Sequence, residues 1–177
     1  MLIEETPLAG CKIITPRVFN DERGYFFESF NEQTFLEKTG HPNRFIQDNQ
    51  SFSTKGVLRG LHFQQGEHAQ AKLVRVTLGE VYDVAVDIRE GSPTYGQHVG
   101  VVLSADNHKQ LLIPRGFAHG FVVLSETAIF QYKCDNYYNK ASEGGIRFDD
   151  PKLGIDWHLP VDALIVSAKD EELPFLP

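Results

Sequence analysis

The chain has almost no sulfur to build with. Its two cysteines, Cys11 and Cys134, stand far apart, which argues against a disulfide framework. No charged and then apolar leader opens the chain, so export is not expected and a reducing cytoplasm fits best. No apolar run approaches the ~20 residues that a membrane helix needs. Basic residues are outnumbered, 17 against 24 acidic, and the net charge of −7 gives no general attraction to nucleic acid or to an anionic membrane. An anionic ligand would have to be met by local cations. Low-complexity blocks and internal repeats are also missing.

What is present points to strands. Thirteen Phe, 6 Tyr and 15 Gly against a single Met favour pleated runs and tight turns. At 177 residues one domain spanning 1–177 is expected, able to bury roughly 70% of its unfolded surface. Residues 11–15 read as a strand, 20–24 as a turn and 25–30 as a second strand with Phe26, Glu28 and Phe30 on one face. Residues 31–40 predict a connector helix, with Asn31 able to cap its start and Gly40 to end it in the left-handed conformation. The run 45–52 predicts a strand with Gln47 and Asn49 on one face. Residues 72–78 and 81–88, joined by Gly79-Glu80, predict a hairpin whose apolar face is Tyr82, Val84, Val86 and Ile88, opposed by Asp83 and Asp87. Further strands are expected at 99–103, 110–113, 121–124 and 128–134. Beyond Asn136 the aperiodic pattern predicts loops and short helical turns lying on the barrel. Many short strands separated by turn residues mean a sandwich or a closed barrel.

The stretch 56–64 puts Arg59 and His62 on an otherwise apolar, glycine-flanked run, where burial makes a charge costly unless a partner or a substrate uses it. Three residues apart they would face opposite ways in a regular strand, but Gly60 permits a bulge that brings both to one side. An edge arginine in water and a hydrogen-bonded core histidine would explain the same residues. Two further segments add candidates: 114–120, read as a turn that delivers His119, and 130–133, which brings Tyr132.

The spacing Gly-x5-His at Gly56 to His62 and Pro-x-Gly-x-x-His at Pro114 to His119 resembles the two motifs of the cupins, whose fold is a double-stranded β-helix jelly roll. Gln64 stands where a metallo-cupin has a second histidine, and two histidines fall short of the usual metal ligand set, so no metal is expected. Asp21-Glu22-Arg23-Gly24, Arg59-Gly60-Leu61-His62, the segment 114–121, Tyr132 and Lys169-Asp170 together resemble the dTDP-4-dehydrorhamnose 3,5-epimerase family over nearly the whole chain. That resemblance implies a mainly β jelly roll with one N-terminal connector helix, needing no cofactor. It implies His62 as general base, oriented by Asp170, Tyr132 as general acid on the opposite ring face and Lys72 at the C4 oxygen. It further implies Arg59 and Lys169 at the diphosphate, Gln47, Asp48 and Asn49 at the nucleotide, His119 at the sugar, Glu143 at the polar rim and Tyr138 in the pocket wall. Arg23, Phe26 and Glu28 would reach the thymidine from the second subunit of a homodimer that exchanges N-terminal strands.

Three other readings use the same residues. A mono-epimerase or keto-isomerase on a related dTDP-4-keto sugar would need the same base, lysine and tyrosine. A metal-dependent cupin oxygenase is motivated by His62 and His119 and opposed by Gln64. A non-catalytic nucleotide-sugar binding module is motivated by how many candidates bind without reacting.

Overall fold

The computed structural model describes residues 1–177. In chain order the elements are β1 (Leu2–Glu5), β2 (Lys12–Thr15), β3 (Phe19–Asp21), β4 (Gly24–Phe26), α1 (Glu32–Thr39), β5 (Gln47–Thr54), β6 (Leu58–Gln64), β7 (Lys72–Leu78), β8 (Glu80–Asp87), β9 (His98–Ser104), β10 (Gln110–Ile113), β11 (Phe117–Val123), β12 (Thr127–Cys134), β13 (Glu143–Gly145) and α2 (Ala168–Glu171). They form a six-stranded sheet in the order β1-β2-β10-β7-β12-β5, a five-stranded sheet β13-β6-β11-β8-β9, and the separate hairpin β3-β4, with every ladder antiparallel. This is the expected cupin-like jelly roll.

Three apolar layers follow from the period-two alternation of the strands. Between the sheets, Val74, Val76, Leu111 and Phe130 from one meet Val81, Ala85, Phe117 and Phe121 from the other. The outer face of the five-stranded sheet, with Leu58, Leu61, Val84 and Val86, is covered by the C-terminal segment through Phe148, Trp157 and Leu176. The outer face of the six-stranded sheet is partly covered by α1, whose Phe35 packs on Ile14, Leu73 and Leu112. That helix ends as its sequence predicts. The Asn31 side chain accepts from the Thr34 N–H, and Gly40 closes it at φ 67°.

The hairpin expected at Gly79 does not form. β7 pairs with β10 and β12, whereas β8 pairs with β9 and β11 in the other sheet, so Gly79 carries the chain across the sandwich. The crossing is tight: φ is +75°, and a Cβ there would lie 2.0 Å from the Thr127 carbonyl oxygen. The two faces of β8 are consequently both inside. Tyr82, Val84, Val86 and Ile88 meet the C-terminal cover, and Asp83 and Asp87 are fully buried on the other face. The second N-terminal strand stops at Phe26, so Phe26, Glu28 and Phe30 share no strand face. Phe26 is exposed, while Phe30 packs on Phe35 and Phe45. His119 lies within β11 rather than in a turn, because only residues 114–116 separate β10 from β11. The C-terminal part contains the expected loops and short helical turns, and also β13, which pairs with the edge of β6.

Candidate active site

β6 and β11 run antiparallel with His62 opposite His119 and then lose one residue of register, Phe121 falling opposite Arg59. The irregularity sits where two glycines meet: a Cβ on Gly60 would be 2.7 Å from the Gly120 Cα. With φ +122° at Gly60, Arg59 and His62 both face one cavity of about 510 Å3 between the sheets. The facing sheet contributes Lys72 and Tyr132 to it. An adjoining space of about 380 Å3 opens on the other side of His62, Lys72 and Tyr132 and is bounded by Gln47, Asn49, Tyr138 and Glu143.

The His62 Nε2 lies 2.6 Å from the Asp170 Oδ1. Asp170 is delivered by α2, where the Ser167 side chain accepts from its N–H, and its second oxygen accepts from the Gly60 N–H at 3.2 Å. Burial alone would raise the Asp170 pKa, but the hydrogen bonds from His62, Gly60 and Ser167 outweigh it and hold the carboxyl below its ordinary value. The carboxylate therefore stays ionised near neutrality, and with Nε2 engaged, Nδ1 is the ring nitrogen left for exchange.

Burial raises the Tyr132 phenol above its ordinary pKa, with Arg59 opposing, so it remains a proton donor at neutral pH. Burial pulls Lys72 below the usual lysine value, against the attraction of Asp83. Its Nζ lies 5.9 Å from the Tyr132 ring centroid. His119 Nε2 meets the Asp83 Oδ2 at 2.8 Å; burial depresses its pKa despite that carboxylate, leaving the ring neutral near pH 7. Phe121 and Phe130 stack at 4.1 Å beside it as an apolar floor.

At the rim Arg59 donates from Nε to the Ser53 Oγ, and Lys169 bonds Glu143 at 2.8 Å. That hydrogen bond lowers the Glu143 pKa and raises that of Lys169. Gln47 and Asn49 face inward, bonded to each other, while Asp48 turns to the outer face and pairs with Lys133. Arg23, Phe26 and Glu28 are exposed on the N-terminal segment and line none of this chain's cavity; Arg23 is held by Asp21 and Glu28 accepts from Asn31. Gln64 is occupied by backbone groups of His68, Tyr137 and Asn139, and no three His, Cys, Asp or Glu side chains converge as a metal site. Sequence reasoning missed Asp83 as the partner of His119. The sequence held no signal for the pairing: Asp83 read as the polar face of a hairpin strand, and that face is inside only because the chain crosses between sheets at Gly79.

Residues 5–177 match the family model described as dTDP-4-dehydrorhamnose 3,5-epimerase. The dTDP-4-dehydrorhamnose 3,5-epimerase of Salmonella typhimurium is 58% identical over 177 residues, covering 99% of this chain and 96% of that protein. The crystal structure of the enzyme of that name from Elizabethkingia anophelis superposes with a TM-score of 0.95 at 58% identity, over 99% of this chain and 96% of the other. The dTDP-6-deoxy-D-glucose-3,5-epimerase of Legionella pneumophila, solved with dTDP-4-keto-L-rhamnose, gives 0.94 at 52% identity, over 98% and 92%. Identity at this level along the full length of both chains, with the backbone following the same course, leaves one conclusion: the chain belongs to the dTDP-4-dehydrorhamnose 3,5-epimerase family.

Proposed function

We propose that the protein inverts C3 and C5 of dTDP-4-dehydro-6-deoxy-D-glucose to give dTDP-4-dehydro-L-rhamnose, a step of dTDP-L-rhamnose biosynthesis. One observation carries the reading: His62, bonded to Asp170 of α2, and Tyr132 with Lys72 stand on facing sheets and share one cavity. Inversion requires proton removal and return on opposite faces of a ring, and an imidazole facing a phenol meets that requirement.

The C4 ketone acidifies the protons on its neighbouring carbons. His62 takes one through Nδ1, and the Asp170 carboxylate stabilises the imidazolium that forms. Negative charge develops on the C4 oxygen, where Lys72 donates; a buried ammonium of lowered pKa is a strong donor to an enolate. Tyr132 returns a proton from the other face. Each inversion leaves His62 protonated and Tyr132 deprotonated, so both exchange with solvent before the next.

Arg59 and Lys169 hold the diphosphate, Arg59 through the bidentate geometry that suits phosphate, and Lys169 leaves Glu143 to do so. Gln47, Asn49, Tyr138 and Glu143 bound the space that receives the rest of the nucleotide sugar, and His119 contacts the sugar. The protein acts as a homodimer with exchanged N-terminal strands; the exposed Phe19, Tyr25 and Phe26 around Arg23 support a partner covering that hairpin. Two free cysteines fit a reducing cytoplasm. Catalysis proceeds without a metal, a reading supported by the engaged Gln64.

The test is proton NMR of dTDP-4-dehydro-6-deoxy-D-glucose with the protein in deuterium oxide and EDTA. Deuterium is expected at both C3 and C5, and none with His62→Ala. Label at one carbon alone would make the protein a mono-epimerase, and loss of exchange to EDTA would restore the metal-dependent reading.

A further inference from the structure

Lys72 is the first residue of β7, the position at which a strand is most prone to fray. Its ammonium nonetheless has to be placed to within a fraction of an ångström if it is to meet a charge that exists only during reaction. The backbone around it is held from outside the cavity.

β7 lies between β10 and β12, and Lys72 is registered with Ile113 of the first and Cys134 of the second. One residue past β12 stands Asp135, whose side chain is completely buried. Its Oδ1 accepts from the Ala71 N–H at 2.7 Å, in the peptide that joins Gln70 to Ala71, while its own N–H donates at 3.2 Å to the Ala71 carbonyl, in the peptide that joins Ala71 to Lys72. Its Oδ2 accepts from the Arg115 Nε at 2.8 Å and the Asn43 Nδ2 at 3.0 Å. Arg115 follows β10, and its Nη2 also reaches the Asp135 carbonyl at 3.3 Å. One carboxylate thus ties together the ends of all three strands that frame Lys72. The same strand β12 carries Tyr132 three residues earlier.

We infer that Asp135, with Arg115, is a positioning residue for Lys72. The inference rests on the reading of Lys72 as donor to the C4 oxygen. A buried carboxylate that serves stability alone could lie anywhere in the fold; this one is spent on the backbone N–H of Ala71, the residue next to the donor. Because misplacing a catalytic group by about 1 Å can cost 10²-fold in rate, releasing this peptide acts on turnover more than on binding.

Asp135→Asn keeps the volume but puts an amide group where one of the two acceptors was, so either the Ala71 N–H or the Arg115 and Asn43 donors lose their partner. Arg115→Met keeps the bond to Ala71 and cuts only the bridge to β10. Asp87→Asn is the control: Asp87 is equally buried and receives Arg89, Ser92 and Thr94, remote from the cavity. Steady-state kinetics below each variant's melting temperature are compared with those of Lys72→Ala. The expected result is kcat about tenfold lower for Asp135→Asn and about threefold lower for Arg115→Met, both with KM within twofold of wild type, and an unchanged kcat for Asp87→Asn despite a lower Tm. If Lys72→Ala loses activity while Asp135→Asn and Arg115→Met turn over like wild type, the positioning role is wrong and the donor role stands. Wild-type turnover by Lys72→Ala sinks both. Should Asp135→Asn not fold, Arg115→Met decides alone: a reduced kcat at constant KM supports the inference, and a kcat within a factor of 1.5 of wild type overturns it.

Discussion

Asp170→Asn is the sharpest test of the His62 assignment. In the folded protein the carboxylate faces two N–H donors at once, His62 Nε2 at 2.6 Å and Gly60 N at 3.2 Å. An asparagine can satisfy only one. If its oxygen turns to Gly60, its NH2 meets Nε2 and forces the ring proton onto Nδ1, which blocks the nitrogen that faces the substrate. If its oxygen turns to His62, the NH2 opposes the Gly60 N–H in a buried setting. In both arrangements the negative charge that stabilises the imidazolium is gone. Two unit charges about 4 Å apart attract by about 4 kcal/mol at an effective dielectric constant near 20. The His62 side chain is 37% exposed, so screening is taken to halve that value to about 2 kcal/mol. At about 1.4 kcal/mol per decade this predicts a fall of at least 30-fold in kcat. Deuterium uptake at C3 and C5, followed by NMR at saturating substrate and neutral pH, gives the rate directly. An Asp170→Asn protein within threefold of wild type would refute the carboxylate as the group that stabilises the imidazolium formed during reaction.

Tyr132→Phe removes the acid and leaves the base. Deuterium should still exchange into the substrate from the His62 face, while formation of inverted product falls by about 10² or more; parallel loss of exchange and inversion would mean that Tyr132 serves binding or folding. Asp87 predicts an acid limit to stability. Burial raises its pKa, but the bonds from Arg89, Ser92 and Thr94 outweigh that and depress it well below the ordinary 3.8. The stabilisation is therefore complete above about pH 4 and is lost as pH falls toward the folded-state value. Asp87→Asn should cost about 3–5 kcal/mol at pH 7 and flatten the fall of Tm between pH 4 and pH 2, read by calorimetry. Gly79→Ala combines a positive φ with a Cβ 2.0 Å from the Thr127 carbonyl. It should lower Tm by several degrees, whereas Gly91→Ala, also at positive φ but with open space around the Cβ, should lower it less.

Local elements were legible where local chemistry decides them. α1 could be read from Asn31 and Gly40 because a cap is a contact within one turn, and β10 could be read from an apolar run bounded by turn residues. The Gly79-Glu80 step was misread for the converse reason. Glycine between two alternating runs satisfies a hairpin and a crossing between sheets equally well, and only the partners of β7 and β8 separate them. β13 was missed because Gly144-Gly145 has no strand propensity of its own; it is a strand because the edge of β6 needs its hydrogen bonds met.

The same division holds for the site. The sequence by itself determined which groups are available: His62, Tyr132, Lys72 and Asp170 occur in a set specific enough to name the family, and period two alone puts Gln47 and Asn49 on one face. What only the tertiary structure decided is who meets whom. His119 meets Asp83 between adjacent strands of one sheet, Arg59 and His62 both turn inward, as Gly60 only permitted, where β6 meets β11, and the implied pairing of His62 with Asp170, 108 positions away, becomes a 2.6 Å contact where α2 packs against β6. The physical reason is range. Propensity, capping and alternation act within a few residues, whereas burial and charge pairing act between strands and segments that are distant in the chain and meet only in the folded state.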